Sequence, residues 1–553
     1  MKKLLLPLAA LLLMAAGCIK VDNSLGKGLV DKSHLYDTYT VEFPLTEITM
    51  KKSSDLSGFS SSRVVIGAVR DDEFGLSTRE SAFTLVPISD TVNLGTNPKA
   101  ISFDLYFAGD TVSCADDSQA RIIQNIYVTA LTEKLDVSKS STSTALAHGT
   151  GVITDGLPVY NGSGPLAFTF TNAFAQQYLD ALKTFAPDGV IVNREWDDDA
   201  IDARFEAYTD VLPGIHIATD LPSGNGGRIN LFDLSCLSVS SGQFYLNNNY
   251  GLLKYTNDEY ASKDTTLSII FIPGEMAFVD EDDDVNAGNR FPQYAFNHTS
   301  HESTEGAPTT KLLVEGGGGL KPVISAKELR EKTISAIAAK GGSVENAVVT
   351  KATIILPFEM TADYKDMKYF PSILSPTVRL TAKDDEGNTS VQFAGLTDAS
   401  VSTEDQGDID RSNLVYSPDI SYHLQEVLSR EDLDTATDAD IWLLTIFTEQ
   451  VATATDNSMN EYYQQMMYAM YYQNLYGGGY GYGGYGGYGG YGYNSYSNYY
   501  TYAMLAAMMN QSSQQQYTTN TELDKDRYYK AVLCGPASAR PPMFRVSFAI
   551  SKD

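Results

Sequence analysis

The sequence predicts a mainly β protein, with antiparallel β-sandwich-like sheets in two packed β domains and few short helices. Three observations carry that expectation: segments of alternating apolar and polar residues recur along the chain, Gly/Asn/Asp/Ser clusters separate them, and only two stretches have helical character. The alternation begins with Tyr39, Val41, Phe43 and Leu45, interleaved with Thr40, Glu42 and Thr46. It returns at Ile101, Phe103, Leu105 and Phe107, at Leu166, Phe168 and Phe170, and at Phe544, Val546, Phe548 and Ile550. Successive strand side chains point to opposite faces, so each segment buries one side and wets the other, and two-layer packing covers the buried sides.

The clearest helix is expected over Ala326 to Lys340, opened by Ser325 and Glu328 as a capping box and closed by Gly341-Gly342. A second runs from Phe174 to Phe185, and Val348 to Pro357 reads as a strand stopped by proline. The expected boundary is the stretch 280–308, acidic and then Asn/Ser/Thr-rich, between an N-terminal β domain (37–279) and a C-terminal one (309–553).

Met1 to Cys18 runs as two lysines, an apolar stretch from Leu4 to Ala16, and Gly17-Cys18. That pattern reads as a signal peptide over 1–17, since its apolar run is well short of the ~20 residues a membrane-spanning helix needs. Ala15-Ala16-Gly17-Cys18 resembles a lipobox, which makes Cys18 the expected lipid attachment site and 18–36 a tether. Two or three acyl chains hold a protein on a bilayer almost permanently. Ile19-Lys20 lacks the Asp that retains many lipoproteins at an inner membrane, so the expected location is the outer membrane, on either its periplasmic or its surface side.

The formal net charge of −29 argues against nucleic acid and anionic headgroups as partners, because each phosphate would meet a repelling field. Apart from Cys18, the cysteines are Cys114, Cys236 and Cys534, enough for at most one disulfide, so stability has to come from a hydrophobic core.

No catalytic or metal-binding motif emerges, and no cofactor is expected. His298 and His301 with Glu302 form the one close histidine pair, but Pro292, Asn297 and Ser300 argue for a loop and the His-Glu-x-x-His order is missing. Asp280 to Asp284 is too irregular for an EF-hand, with Val285 and Phe291 where Gly and Glu belong. Asp197-Asp198-Asp199 and Asp384-Asp385-Glu386-Gly387 read as charged turns. Gly316 to Gly319 is followed by Leu320-Lys321-Pro322 rather than Lys-Ser/Thr, and reads as a turn instead of a phosphate loop. No Gly-x-Ser-x-Gly elbow is present.

The order of several segments resembles a family of Bacteroidota outer-membrane lipoproteins of unknown function. The likeness rests on Gly67 followed by Asp71-Asp72-Glu73-Phe74-Gly75, on Ser102 to Phe107 with Ile126 to Leu131, and on Phe205 to Ile217 containing Gly214. It continues through Gly227-Arg228-Ile229, Phe296-Asn297-His298, and Val349 to Pro357 followed by Pro371. The resemblance implies a lipid-anchored, mostly β envelope protein and brings no catalytic residues.

This chain is longer than the family pattern, chiefly through an insertion at 457–521. From Tyr462 to Thr521 there is no charged side chain, and seventeen of the 35 tyrosines fall there. Its centre, Tyr476 to Tyr493, is a Gly-Tyr repeat, flanked by methionine-rich stretches. Tyrosine joins an apolar ring to a polar hydroxyl and methionine adapts its shape, a composition suited to bilayer interfaces and adaptable protein contacts. Tyr462, Tyr463, Met466, Met467, Met470, Tyr485, Tyr488, Met504 and Met508 are therefore the candidate docking residues, for the headgroup layer or an outer-membrane β-barrel partner. The expected role is a non-enzymatic accessory or interaction subunit of a cell-envelope assembly. A glycan- or ligand-binding surface lipoprotein is the alternative.

Overall fold

The computed structural model describes residues 36–453 and 516–551, apart from 115–116, 194, 235–236, 241–242, 247–248, 262–264, 275, 277–293, 384–388, 397 and 399–406. Strands dominate, and every strand pairing among the described residues is antiparallel, as the alternation predicts.

The first core lies between two sheets. The larger runs in the order His148–Val152, Gln124–Leu131, Ile215–Thr219, Gly75–Phe83, Arg63–Asp71, Gly226–Asp233 and Gly109–Cys114, with Ala295–His301 on the other edge of Gly75–Phe83. The smaller runs Leu166–Thr169, Lys99–Phe107, Gly251–Thr256, Leu267–Pro273 and Leu85–Pro87. Phe83 of one sheet meets Phe107 of the other at 5.5 Å between ring centroids, and Phe107 meets Phe232 at 6.3 Å. Helix α1 (Asn172–Phe185) closes the smaller sheet, its Tyr178 ring 5.3 Å from Phe103. Helix α2 (Asp198–Val211) packs beside it, and Tyr178 and Tyr208 each donate a hydroxyl hydrogen to Leu85 O at 2.6 Å.

The acidic run Asp197-Asp198-Asp199 is not the turn its composition suggests. Asp197 is the N-cap of α2 and accepts from Ala200 N–H, while Asp198 and Asp199 sit in the first turn, where the helix dipole favours negative charge.

The second core is also two-layered. One sheet runs Tyr36–Pro44, Met543–Ser551, Ala347–Pro357, Val415–Tyr416 and Ile409–Asp410. The other runs Ile48–Lys52, Leu320–Ile324, Ile441–Thr453, Ile373–Lys383 and Thr389–Gly395, with Gln516–Leu523 also on Ile441–Thr453. Phe544, Val546, Phe548, Ile354 and Leu443 fill the space between, capped by α3 (Ala326–Ala339) and α4 (Ser421–Leu428).

Sheet membership does not follow chain order. Tyr36–Pro44 pairs along its whole length with the last strand, Tyr36 opposite Ser551 and Pro44 opposite Met543, and Ile48–Lys52 pairs with Leu320–Ile324. The first two strands therefore belong to the C-terminal body, whose core collects Leu45, Ile48 and Met50 together with residues from Leu312 onward.

The same crossover explains how α3 begins. Ser325 accepts from Glu328 N–H at 3.2 Å, as expected, but the Glu328 side chain does not return to Ser325. Its carboxylate accepts instead from Thr46 N–H (2.8 Å), the Thr46 hydroxyl (2.6 Å) and Glu47 N–H (2.9 Å), tying the link between the first two strands to the helix. Glu328→Ala strands those donors and is expected to cost roughly 2–4 kcal/mol in urea unfolding. A cost within the noise of the measurement would show that water replaces the carboxylate freely.

Candidate functional site

Cys18 and the docking candidates Tyr462, Tyr463, Met466, Met467, Met470, Tyr485, Tyr488, Met504 and Met508 lie outside the described residues, as does the Asp280 to Asp284 run. The roots of the insertion are described. Ile441–Thr453 and Gln516–Leu523 pair in register from Ile446 opposite Leu523 to Thr453 opposite Gln516, so the chain leaves for the insertion and returns from it at one hairpin. Pairing with the neighbouring strand Ile373–Lys383 stops at Ile446, and beyond that point the hairpin continues without that neighbour.

His298 and His301 occupy the strand Ala295–His301, not a loop, and three residues of strand separation turns them to opposite faces. Each belongs to a different cluster.

His301 faces the seam between the two bodies, in a group of buried ionisable residues: Arg79 from the larger sheet, and Glu315 and Lys321 from the C-terminal body. The His301 Nδ1–H donates to Glu315 Oε1 at 3.1 Å, and Nε2 accepts from Arg79 Nη1 at 3.3 Å. Arg79 Nη1 also donates to Ser77 Oγ and Thr78 O, both at 2.9 Å. The other Glu315 oxygen accepts from Leu320 N–H at 3.0 Å and from the Ser303 hydroxyl. Lys321 Nζ donates to three carbonyls, Glu315 O (2.6 Å), Gly317 O (3.1 Å) and Gly319 O (3.3 Å).

These bonds set the charges. Burial pushes His301 down to about 4, helped by the Arg79 charge, so the ring is neutral at physiological pH. Burial alone would raise Glu315, but the His301 hydrogen bond and charge, Leu320 N–H and Ser303 together hold it at about 2. Burial lowers Arg79 to about 10 and Lys321 to about 7.

A lysine poised near neutrality is what amine catalysis uses. Here the side chain is 0% exposed and all three of its N–H groups are given to carbonyls, so the ammonium serves as the hub around which the Gly316–Gly319 turn is wound. No side chain fits that turn. A Cβ on Gly316 would lie 2.1 Å from Arg527 O, and Gly317 has φ +57° with Arg79 Nη2 at 2.7 Å from a built Cβ. The sequence signals for this cluster were four consecutive glycines and a lysine inside the apolar run Leu320-Lys321-Pro322-Val323-Ile324.

His298 faces the other way, beside Glu80, His216, Thr129 and His148. His216 Nε2–H donates to Glu80 Oε2 at 3.1 Å, and the His216 and His148 rings stack with centroids 3.9 Å apart. Glu80 is held below the usual carboxylate range, first by the His216 hydrogen bond and then, against the opposing effect of burial, by the charges of His216, His298 and His148. In this row, too, sequence reading missed the grouping, because residues 80, 129, 148, 216 and 298 carry no shared spacing.

A polar cavity of about 580 Å³ opens at one end of the C-terminal body, lined by Lys51, Asp55, Glu305, Arg379, Thr381 and Trp442 among others. The remaining thiols of the described residues, Cys114 and Cys534, are free and buried. No family model, curated protein or solved structure matches the chain.

The seam makes stability depend on pH with a fixed sign. Glu315 and His301 both titrate below their ordinary values, so the unfolded chain takes up more protons than the folded one between about pH 2 and 6.5. Stability is expected to fall as pH falls through that window, on the order of 3 kcal/mol from Glu315 alone. Lys321 is also lowered, so stability rises as pH climbs from about 7 towards 10.5. Urea unfolding across this range checks both limbs, and Lys321→Met should flatten the upper one. Arg79→Met removes a buried charge that faces Glu315 and leaves His301 Nε2, Ser77 Oγ and Thr78 O without their donor, and is expected to cost about 3–5 kcal/mol.

Proposed function

We propose that this protein is a non-enzymatic outer-membrane lipoprotein, anchored through Cys18, that acts as an accessory subunit of a cell-envelope assembly and docks through its uncharged Tyr/Gly/Met segment. The observation that carries the reading is the hairpin at the root of that segment. Residues 454–515, which from Tyr462 onward carry no charged side chain in a chain of net charge −29, are held at both ends by one antiparallel ladder that ends at Thr453 opposite Gln516. Such a root brings the two ends of the insertion together at one place, as a docking element requires. An outer-membrane β-barrel is the partner best suited to it, since the rim of a barrel offers both an apolar band and a polar girdle to tyrosine and methionine.

The buried ionisable groups fit the same reading. Arg79, His301, Glu315 and Lys321 are bonded to one another and to backbone, which suits a scaffold whose two bodies keep a fixed relation. The ligand-binding alternative draws on one observation, the polar cavity beside Trp442, and glycan-array binding abolished by Arg379→Ala would favour it.

Two variants test the main proposal. In the first, residues 454–515 are replaced by Asn-Gly, a pair that closes a two-residue hairpin between Thr453 and Gln516. It is expected to keep its melting temperature and membrane attachment while losing the barrel partner in a mild-detergent pull-down; recovery of the same partners would refute docking through the segment. In the second, Cys18→Ala is expected to abolish palmitate labelling and release the protein from membranes. Sedimentation of Cys18→Ala with membranes would refute the anchor.

A further inference from the structure

The polar cavity of the C-terminal body lies on the face of its second sheet turned away from the core. Met50, Val378 and Leu443 point inward, so their strand neighbours Lys51, Arg379 and Trp442 point outward, and all three line the cavity. The link 53–57 folds over this face, where Leu56 packs with Val323, Trp442 and Leu444. Asp55, Glu305 and Thr437 complete the lining, Glu305 being held in place by the paired hydrogen bonds between Gly306 and Met50 (2.8 and 3.0 Å). Apart from Ala436 and Trp442, every lining side chain is polar.

Most of the charges here are already matched. Arg379 Nε and Nη2 both meet Asp55 Oδ2 at 2.8 Å, and Lys52 Nζ donates to His301 O at 2.7 Å. Asp438 accepts from Arg430 at 3.0 and 2.9 Å, and Glu305 Oε1 accepts from Lys52 N–H at 2.6 Å. Lys51 differs. Its ammonium has neither an ion pair nor a hydrogen bond among the described residues, and stands 5.7 Å from the centre of the Trp442 ring, which meets Phe393 edge-on at 5.2 Å. Asp440 feels the Lys51 charge but spends its Oδ1 on Ala326 N–H at 3.0 Å. Asp55 Oδ1, Glu305 Oε2 and the Thr437 hydroxyl also lack hydrogen-bond partners among the described residues.

We propose that this cavity binds a sugar acid, with its carboxylate on the Lys51 ammonium and its hydroxyls on Asp55 Oδ1, Glu305 Oε2 and Thr437. An unpaired ammonium calls for an anion, whereas unpaired carboxylate oxygens can only accept and call for hydroxyl hydrogens. One ligand with both groups satisfies all of them. A lining almost without apolar wall gives nothing to the chain of a fatty or aromatic acid. The volume of about 580 Å³ falls in the range of roughly 300–1,000 Å³ typical of small-molecule sites. Lys51, Lys52 and Arg379 together supply local positive charge in a chain whose net charge of −29 repels anions elsewhere. The proposal gives a chemistry to the ligand-binding alternative and rests on that reading; it needs neither Cys18 nor the insertion.

The chain has two tryptophans, so Trp196→Phe leaves Trp442 as the single fluorescent reporter of the cavity. The full chain carrying that substitution is titrated in mild detergent with glucuronate and digalacturonate, and with glucose and acetate for comparison. Saturable change in Trp442 emission with a sub-millimolar Kd is expected for the two sugar acids, with glucose and acetate each at least tenfold weaker. Lys51→Met keeps the aliphatic stem and should weaken sugar-acid binding at least tenfold without moving the melting temperature; Lys51→Arg should retain most of the affinity. Sugar-acid binding that Lys51→Met leaves intact would overturn the proposal. Acetate binding as tightly as glucuronate would overturn the sugar part of it. Glucose binding as tightly as glucuronate, and lost in Arg379→Ala, would overturn the acid while leaving the ligand-binding alternative standing. No saturable binding of any of these probes, with a blank glycan array, would overturn both.

Discussion

A sheet as wide as the larger one here has two faces, and only so much of either can be left to water. One face is covered outright, by the five-stranded sheet and α1, with Phe83, Phe103, Phe107 and Phe232 filling the gap. Where the C-terminal body lies against the sheet, Val65, Val69, Ile229 and Leu231 meet Tyr369 and Tyr528, and the charges of Arg79, Glu315 and Lys321 are buried together beside them. On the strand Ala295–His301 the faces part, His301 turning to that seam and His298 the opposite way, where the Glu80 side chain is partly open to solvent. The two bodies are therefore not independent beads: the larger sheet is finished only when the C-terminal half is present to cover it.

Burying that much charge costs several kcal/mol per ion unless each is paired and each remaining donor and acceptor is satisfied. The seam meets the condition through backbone more than through ion pairs. Lys321 is neutralised in effect by three carbonyl dipoles, and Glu315 by a neutral histidine, a hydroxyl and a peptide N–H. The glycine turn is what makes this geometry available, since side chains on it would occupy the space the carbonyls need.

What could be read from the sequence was what is local. The period of two marked the strands at Phe103 and Phe544, and the capping serine and closing glycines marked α3 within one residue of its observed end. Asp197 was misread because an acidic run looks the same in a turn and at a helix N-terminus until the following residues are packed, as Ile201 and Tyr208 are here. His301 was misread because proline, asparagine and serine nearby outweighed a strand whose partners lie more than 200 residues away. The seam and the row were invisible for the same reason: both are assembled by pairing register between distant strands, and no local pattern encodes that. The docking candidates and Cys18 remain a reading of composition.

The pairing of the first strand with the last has a bearing on how the molecule comes to be made. Synthesis from the N-terminus delivers Tyr36–Pro44 long before Met543–Ser551, yet each is the other's neighbour across nine residue pairs. The leading strand must therefore wait, uncovered, for some five hundred residues to emerge, which is a large loop-closure interval for a sheet edge. Its alternation of Thr38, Thr40 and Glu42 with Tyr39, Val41 and Phe43 keeps one face of that waiting strand hydrophilic. Completion of this contact is a natural end point of folding, and loss of Met543–Ser551 would leave Tyr36–Pro44 without its partner strand.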